Sequence, residues 1–232
     1  MNESFKINNQ LQEIYEKQNN AISNSRNETS KDKVSNIIKV TNKINTDKII
    51  EIGAGDGAIL NRLSELDFGS EYFATEITEG AVDTIKSRNI QKLKNVILFD
   101  GYKTPFDNNE FDLVILSHVL EHVEYPRKLI YESARIGKYV FIEVPLEDNR
   151  KLSELFTLTD VGHINFYSIK TIKILIQSCG LSIESSLLTY PNRSSKNFVK
   201  SYKRKIISYL PKLSKRIATS NYKFNCSILV KK

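Results

Sequence analysis

The chain has 232 residues, which is long enough for one domain with a full hydrophobic core and a short appendage. No apolar run approaches the roughly 20 residues that a membrane-spanning helix needs, and the N-terminus lacks the apolar stretch of a secretory signal peptide. The two cysteines, Cys179 and Cys226, are isolated and suit buried, reduced thiols, so we predict a cytoplasmic protein without a disulfide or a metal-binding cysteine pair.

The charge of the chain is unevenly distributed. The formal net charge is +7, yet residues 185–232 contain 12 lysines and arginines and no acidic residue, which leaves residues 1–184 with a net charge of −5. An asymmetry of this size predicts an anionic partner or surface near the C-terminal part.

The N-terminal 30 residues are rich in Asn, Ser and Glu and carry only a weak helical stripe of apolar residues. We expect residues 1–30 to form a marginal helix that acts as a lid, or a mobile end, and residues 31–232 to form the domain. Val34, Ile37 and Ile38 have helical spacing and lead into a first strand, Lys48–Ile52.

A glycine-rich turn, Gly53-Ala-Gly-Asp-Gly57, follows this strand. Glycine permits positive φ and close approach of a ligand to the backbone, and a helix beginning at Ala58 points free N–H groups at that ligand. This pattern is typical of a nucleotide-type cofactor site. The residues also fit the loose dinucleotide fingerprint, with Glu76 about 20 residues on to bind ribose hydroxyls, so a dinucleotide cofactor is one alternative.

The remaining elements alternate between helix and strand, which predicts a parallel, doubly wound α/β sheet. Pro126 begins a helix, Ser168 caps another, and Gly180 ends it. In chain order we predict a helix from Ala58 to about Leu66, a strand at 72–76, a helix from about Glu79 to Ser87, strands at 96–99 and 111–116, a helix from Pro126, a strand at 138–145, a helix from Ser168 to about Cys179, a strand at 181–190 and a last strand at 224–230.

Four segments together resemble the class I S-adenosylmethionine (SAM) methyltransferases. They are the acid-x-Gly-x-Gly-x-Gly motif of residues 51–57 and residues 72–77, 96–101 and 111–123, in that family's order and spacing. A dinucleotide enzyme has no need of the Asp100 element or of the Phe-Asp-Leu-Val-Ile strand. The resemblance spans about residues 48–232 and implies a Rossmann-like fold with a seven-stranded sheet, helices on both faces, and an antiparallel last strand inserted between strands five and six.

The resemblance also implies which residues hold SAM and its product S-adenosylhomocysteine. Glu51 would contact the glycine loop or the methionine part, Glu76 would accept both ribose hydroxyls, and Asp100 would bind the adenine amino group. The full set of implied cofactor contacts is Glu51, Gly53, Ala54, Gly55, Asp56, Gly57, Glu76, Ile77, Asp100, Gly101, Leu116, Ser117 and His118.

The segment His118-Val-Leu-Glu-His122 also matches the H-x-x-E-H zinc pattern. Members of the resembled family carry a similar Ser-x-x-Leu-Glu-His-Val loop at this place, and no supporting metal ligands are readable downstream, so we predict no metal site. His118 is interpreted as a cofactor-cleft residue and a candidate catalytic residue. His122 is interpreted as holding the loop through hydrogen bonds.

The acceptor side is expected near the segment that follows strand five. His163 is the candidate general base, because an unperturbed histidine pKa of about 6.5 suits proton abstraction near neutrality; a structural histidine is the alternative. Asn165 and Tyr167 are candidate acceptor contacts.

A basic helical insertion is predicted at about 192–220, with one apolar face that Pro211 must break or kink. Two interpretations stay open. The insertion packs on the domain with solvated lysines, or it binds the acceptor or a membrane surface, with Lys203 and Arg204 as candidate acceptor contacts.

The sequence as a whole predicts methyl transfer from SAM to a small molecule, at an oxygen of a sugar, phosphorylated or lipid-linked metabolite. The pattern looks most like the small-molecule group that includes ubiquinone-pathway O-methyltransferases and methyltransferases of glycan and secondary-metabolite pathways. The Asx-Pro-Pro-aromatic and Pro-Cys motifs of DNA methyltransferases are absent, which disfavours nucleic acid. The alternatives are an RNA methyltransferase that uses the basic segment and a non-catalytic SAM-binding partner subunit.

Overall fold

The computed structural model describes residues 23–147, 162–190, 207, 209–212, 214, 219 and 224–232. These residues form one seven-stranded sheet with helices on both faces. The elements in chain order are α1 Ser23–Thr41, β1 Lys48–Ile52, α2 Ala58–Glu65, β2 Glu71–Glu76, α3 Glu79–Ser87, β3 Leu93–Leu98, β4 Phe111–Ser117, α4 Pro126–Ile136, β5 Gly137–Leu146, α5 Ile169–Gln177, β6 Ser182–Thr189 and β7 Phe224–Lys231.

The strand order is β3-β2-β1-β4-β5-β7-β6. All neighbouring pairs are parallel except those of β7, which runs antiparallel to both β5 and β6. The predicted fold class and the antiparallel insertion of the last strand are therefore confirmed. Strand β4 is buried along its whole length, as expected for a central strand that is covered on both faces.

The core consists of two layers of apolar side chains, one on each face of the sheet. Neighbouring residues of each strand point to opposite faces, so Ile49 and Ile50 belong to different layers. Helices α4 and α5 cover one face, with Leu129 and Ile172 fully buried, and helices α1, α2 and α3 cover the other.

Local signals in the sequence explain several helix ends. The Ser168 hydroxyl accepts from the Thr171 N–H in a capping box at the start of α5, and Pro126 occupies the first turn of α4. The Thr78 hydroxyl caps α3 by accepting from the Ala81 N–H at 3.3 Å.

Helix α1 begins at Ser23 and continues across residue 30, where we placed the boundary of the domain. Residues 1–22 and most of the basic segment at 192–220 lie outside the described residues. Within the described part of the chain, no helix combines the length and hydropathy that crossing a bilayer requires.

The topology defines one place where a ligand is expected. Strands β1 and β4 are neighbours in the middle of the sheet, but the chain leaves them toward opposite edges. In open α/β sheets, such a switch point leaves a crevice outside the carboxyl ends of the two strands, and ligands bind there.

Candidate functional site

The glycine loop between β1 and α2 adopts a backbone that other residues rarely tolerate. Gly53, Gly55 and Gly57 have φ values of 70°, 63° and 74°. The Gly53 and Ala54 N–H groups donate to the Thr75 carbonyl at 3.0 and 3.3 Å, which ties the loop to the end of β2. A Cβ on Gly53 would lie 2.9 Å from Val119 Cγ2, so the loop also packs against the segment after β4.

Two acids that the sequence assigns to the cofactor fix this loop. Glu76 is buried at the end of β2, where its carboxylate accepts from the Gly55 N–H and, at 3.0 Å, from the Ile77 N–H. Asp56 forms an ion pair with Arg88 at 2.6 Å and accepts from the Ala58 N–H. Both acids thus position the loop backbone.

A cavity of about 220 Å³ lies at the switch point. The ends of β1 and β4, the glycine loop and one face of α1 contribute to its wall. The lining residues are Thr29, Ser30, Lys33, Glu51, Gly53, Ala54, Gly55, Asp56, Ala58, Ile59, Ser117, His118 and His122. The sequence interpretation missed Thr29, Ser30 and Lys33, although their spacing places them on one side of a helix.

Glu51 is the buried acid of this cavity. Only 2% of its surface is exposed, and Oε2 has no hydrogen-bond partner among the described residues. Burial raises the pKa of Glu51 well above its usual value, and the opposing charge of Lys33 offsets this only in part. A buried carboxyl group without a partner has lost its hydrogen bonds to water. A cationic or hydrogen-bond-donating ligand would restore such interactions, so its binding to Glu51 is favourable.

His118 lies between two buried glutamates. Its Nδ1 is 3.2 Å from Glu121 Oε1 and its Nε2 is 3.3 Å from Glu143 Oε1. Burial and Lys33 lower the pKa of His118, but the two glutamates outweigh them and the pKa is raised. The two glutamates thus favour the charged form of His118 at the cavity wall, and the sequence did not predict its pairing with Glu121 and Glu143.

Glu143 connects this pair to more distant elements. Its Oε2 accepts from Asn36 Nδ2 at 2.7 Å and from the Ser227 hydroxyl at 2.6 Å. Burial opposes ionisation of Glu143, yet His118 and Ser227 hold its pKa below the usual value. The network therefore joins α1, β4, β5 and β7 behind the cavity.

The predicted acceptor residues lie around the segment that follows β4. Asn165 donates to the Leu120 and Val123 carbonyls at 3.1 and 2.7 Å, and the Tyr167 hydroxyl donates to the Leu120 carbonyl at 3.1 Å. Both side chains hold this segment in place. Their predicted contact with an acceptor stays a prediction.

Two histidines meet beside the cavity. His122 lines the cavity, and its Nδ1–H donates to the Gly162 carbonyl at 3.1 Å, in keeping with the predicted loop-holding role. His163 contacts Glu147 through Nδ1 at 2.5 Å and packs edge-to-face on His122. His163 is not among the residues that line the cavity, and its role as general base stays a prediction.

The other predicted cofactor residues occupy the same edge of the sheet. Ser117 lines the cavity, whereas the Leu116 side chain is part of the core. Asp100 is exposed after β3 and accepts from the Tyr102 and Lys103 N–H groups at 2.8 Å, around a turn in which Gly101 has φ 90°. Lys203 and Arg204 lie outside the described residues.

These residues fit SAM in its chemical groups. The left-handed loop leaves room for close backbone approach, and Glu51 offers an unpartnered oxygen. Carboxylates have about four acceptor sites, so Glu76 and Asp100 keep capacity for ribose and adenine donors beyond their backbone contacts.

Comparison with known proteins supports the same assignment. Residues 50–139 match a family described as a methyltransferase domain. A Candida albicans protein described as a mitochondrial ubiquinone biosynthesis O-methyltransferase is 23% identical over 124 residues. That match covers 49% of this chain and 36% of the relative, so the chain spans only about a third of its length.

Solved structures share the fold. A SAM-dependent methyltransferase from Aquifex aeolicus superposes with a TM-score of 0.53 at 14% identity, covering 82% of this chain and 87% of that chain. An N-methyltransferase from Haemonchus contortus, solved with phosphomonomethylethanolamine and S-adenosylhomocysteine, superposes with a TM-score of 0.61 at 15% identity and covers 85% of this chain and 51% of that chain. The chain therefore contains a region that matches a methyltransferase domain, and its strand order and glycine loop are those of the Rossmann-like fold of SAM-dependent methyltransferases.

Proposed function

We propose that this protein binds SAM and transfers its methyl group to an oxygen of a small anionic acceptor, of the sugar, phosphorylated or lipid-linked class. The observation that carries the proposal is the cavity at the switch point. There the glycine loop, the buried Glu51 and the ammonium-bearing Lys33 line one space. Ligands of open α/β sheets bind at this point of the topology.

Each cofactor-side residue has a distinct task. When bound, SAM supplies an electrophilic methyl group on a sulfonium sulfur. Glu76 accepts hydrogen bonds from the ribose hydroxyls and, at the same time, from the Gly55 N–H, which holds the loop in place. Asp100 accepts a hydrogen bond from the adenine amino group. Glu51 receives the amino group of the methionine part, which satisfies the unpartnered Oε2.

Positive charge supports an anionic acceptor. Lys33 lines the cavity, and no carboxylate of the described residues lies within 4.0 Å of its ammonium nitrogen. The C-terminal 48 residues add 12 basic side chains and no acidic ones. An oxygen acceptor is supported by the name of the *Candida albicans* relative, which is an O-methyltransferase.

Calorimetric titration of the purified chain with SAM, S-adenosylhomocysteine and NAD tests the cofactor. We expect micromolar binding of the first two and none of NAD; binding of NAD alone would overturn the proposal.

Transfer of a labelled methyl group to sugar phosphates, nucleotide sugars and prenylated phenols then tests the acceptor. Transfer of the labelled methyl group to RNA but not to any small molecule would favour an RNA methyltransferase. SAM binding without transfer to any acceptor would favour a non-catalytic partner subunit.

A further inference from the structure

Three side chains that can bind a metal ion converge beside the cavity. Glu121, His122 and His163 each place one potential ligand atom within 4.8 Å of the others. Ligands of a tetrahedral zinc ion lie about 2.0–2.1 Å from the metal and hence about 3.4 Å apart, so side-chain shifts of about 1 Å would close the site.

The backbone holds the three residues together although they come from two segments. Glu121 and His122 lie in the turn after β4, and His163 lies in the segment before α5. The Glu121 carbonyl accepts from the Ile164 and Asn165 N–H groups at 2.8 and 3.0 Å. The cluster is therefore a fixed feature of the fold.

Each histidine is oriented as metal-bound histidines usually are. A metal-bound imidazole commonly donates its second ring N–H to a carbonyl or a carboxylate, which fixes the tautomer. His122 Nδ1 faces the Gly162 carbonyl at 3.1 Å, and His163 Nδ1 faces Glu147 Oε2 at 2.5 Å. With Nδ1 as the donor, Nε2 carries the lone pair in both rings.

The third residue supplies a buried carboxylate. Glu121 is fully buried, and its Oε2 has no hydrogen-bond partner among the residues that the structure describes. His118 contacts the other oxygen, Oε1, at 3.2 Å. Burying a carboxylate oxygen without a partner is unfavourable, and a bound cation would compensate for it.

We propose that Glu121, His122 and His163 bind a divalent transition metal of the zinc class at the wall of the cavity. Two imidazoles and a carboxylate are a donor set that zinc accepts, with further positions left for water or substrate oxygen. This set differs from the H-x-x-E-H pairing, because His118 turns both ring nitrogens toward Glu121 and Glu143. The proposal departs from the sequence prediction of no metal site, because the fold brings His163 next to His122.

The test is zinc binding by the full chain after treatment with a chelator and dialysis. We expect one zinc ion per chain with a micromolar or lower Kd in calorimetry, and Co²⁺ in its place should give the visible absorption of a low-coordinate site. Mg²⁺ should not compete. Absence of saturable zinc binding, or equal displacement by Mg²⁺, would overturn the proposal.

Variants decide between the two ligand sets, since the chain has only three histidines. His122→Gln and His163→Gln should each weaken zinc binding about a hundredfold or more, whereas His118→Gln, which removes only a contact to the ligand Glu121, should weaken it less than either. Glu147→Gln, which removes the carboxylate that faces His163 Nδ1, should weaken it about 10–100-fold. Loss in His118→Gln with retention in His163→Gln would contradict the proposal.

Folding and cofactor binding are measured separately. Circular dichroism checks that each variant is folded, and Glu147→Gln provides a milder change should a ligand variant not fold. SAM binding should persist after chelation, because the proposed contacts to SAM come from Glu51, Glu76 and Asp100 and not from the three proposed ligands, although His122 lines the same cavity. Failure of the metal proposal and failure of the proposed function are therefore distinct results.

Discussion

At the scale of single residues, the two strand-end acids differ in how their oxygens are used. Glu76 accepts two backbone N–H groups, whereas Glu51 keeps one oxygen without a partner among the described residues. Glu76 thus shapes the loop before any ligand binds, and Glu51 is left to interact with one. Their common assignment to the cofactor rests on position in the fold, while their roles differ.

Replacement of Glu76 by Ala should weaken SAM binding about tenfold or more, which corresponds to about 1.4 kcal/mol. The variant loses the acceptor for the ribose hydroxyls and the contact that closes the loop on the Gly55 N–H. Calorimetry measures the affinity, with Asp83→Ala as the control because Asp83 is an exposed acid on the following helix, α3. Unchanged affinity in Glu76→Ala would show that the ribose site is elsewhere.

Gly53→Ala should lower both stability and SAM affinity. Its φ of 70° costs a residue with a Cβ about 1 kcal/mol, and the new methyl would lie 2.9 Å from Val119 Cγ2. Gly80→Ala is the matched control, since Gly80 lies in α3 with no atom within 4 Å of an added Cβ and should be neutral or slightly stabilising. Thermal unfolding and SAM titration measure both; similar effects in the two variants would contradict this explanation.

At the scale of elements, helix α4 anchors the loop that follows β3. Glu132 accepts from the Thr104 N–H at 2.7 Å and the Thr104 hydroxyl at 2.6 Å, and it pairs with Arg135. Burial favours the neutral acid, but Arg135 and Thr104 outweigh it and hold the pKa of Glu132 below its usual value. Arg135 also donates to the Phe106 carbonyl at 2.7 Å, so one ion pair fixes the whole turn.

Glu132→Gln should therefore make stability less sensitive to acid. A carboxylate whose pKa is lowered by folding stabilises the protein above its unfolded pKa, and this contribution is lost as the pH falls through the folded pKa. We expect a loss of about 2 kcal/mol at neutral pH, because hydrogen bonds to a charged group weaken, and a smaller further loss in acid. Urea unfolding at several pH values below neutral measures this.

Glu124→Gln serves as the comparison for that experiment, because Glu124 is exposed just before α4. It should leave both the stability and its pH dependence close to those of the unchanged protein. If Glu132→Gln loses stability in acid as steeply as the unchanged protein, the pKa of Glu132 is not lowered by folding.

The elements themselves were largely predictable, because apolar runs and turn residues are local signals. The bounds of β1 and α3 match the predicted ones, whereas β3 begins at Leu93, three residues before the predicted start. Lys94 and Asn95 are exposed on this edge strand, so its first half lacks the apolar pattern of a central strand.

The network behind the cavity was not predictable in the same way. Asn36 and Ser227 reach the same oxygen of Glu143 from positions 107 and 84 residues away. Nothing local in the sequence distinguishes these polar residues from solvent-exposed ones, since only the sheet order brings α1, β5 and β7 together. The same holds for His163, which contacts His122 only because two loops pack together.

At the scale of the whole molecule, the described fold does not explain the uneven distribution of charge along the chain. Residues 1–184, which are acidic overall, contain the cofactor site, and the basic residues 185–232 include most of β6, all of β7 and the segment at 192–220. Surface charge of one sign attracts ligands of the other sign over about one Debye length, roughly 8 Å at physiological salt. The basic part would thus attract the anionic acceptor that we propose.

Replacing Lys203, Arg204 and Lys205 together by Ala should raise the acceptor KM and leave SAM affinity unchanged. The acceptor KM of the unchanged protein should also rise with salt, because screening weakens the attraction. Steady-state kinetics at two ionic strengths measures both. Lys39, Lys43 and Lys86, which are exposed lysines of the described domain, give a control triple variant with the same change in net charge. An equal rise in KM in the control would assign the effect to net charge, and unchanged kinetics in both would remove the basic segment from acceptor binding.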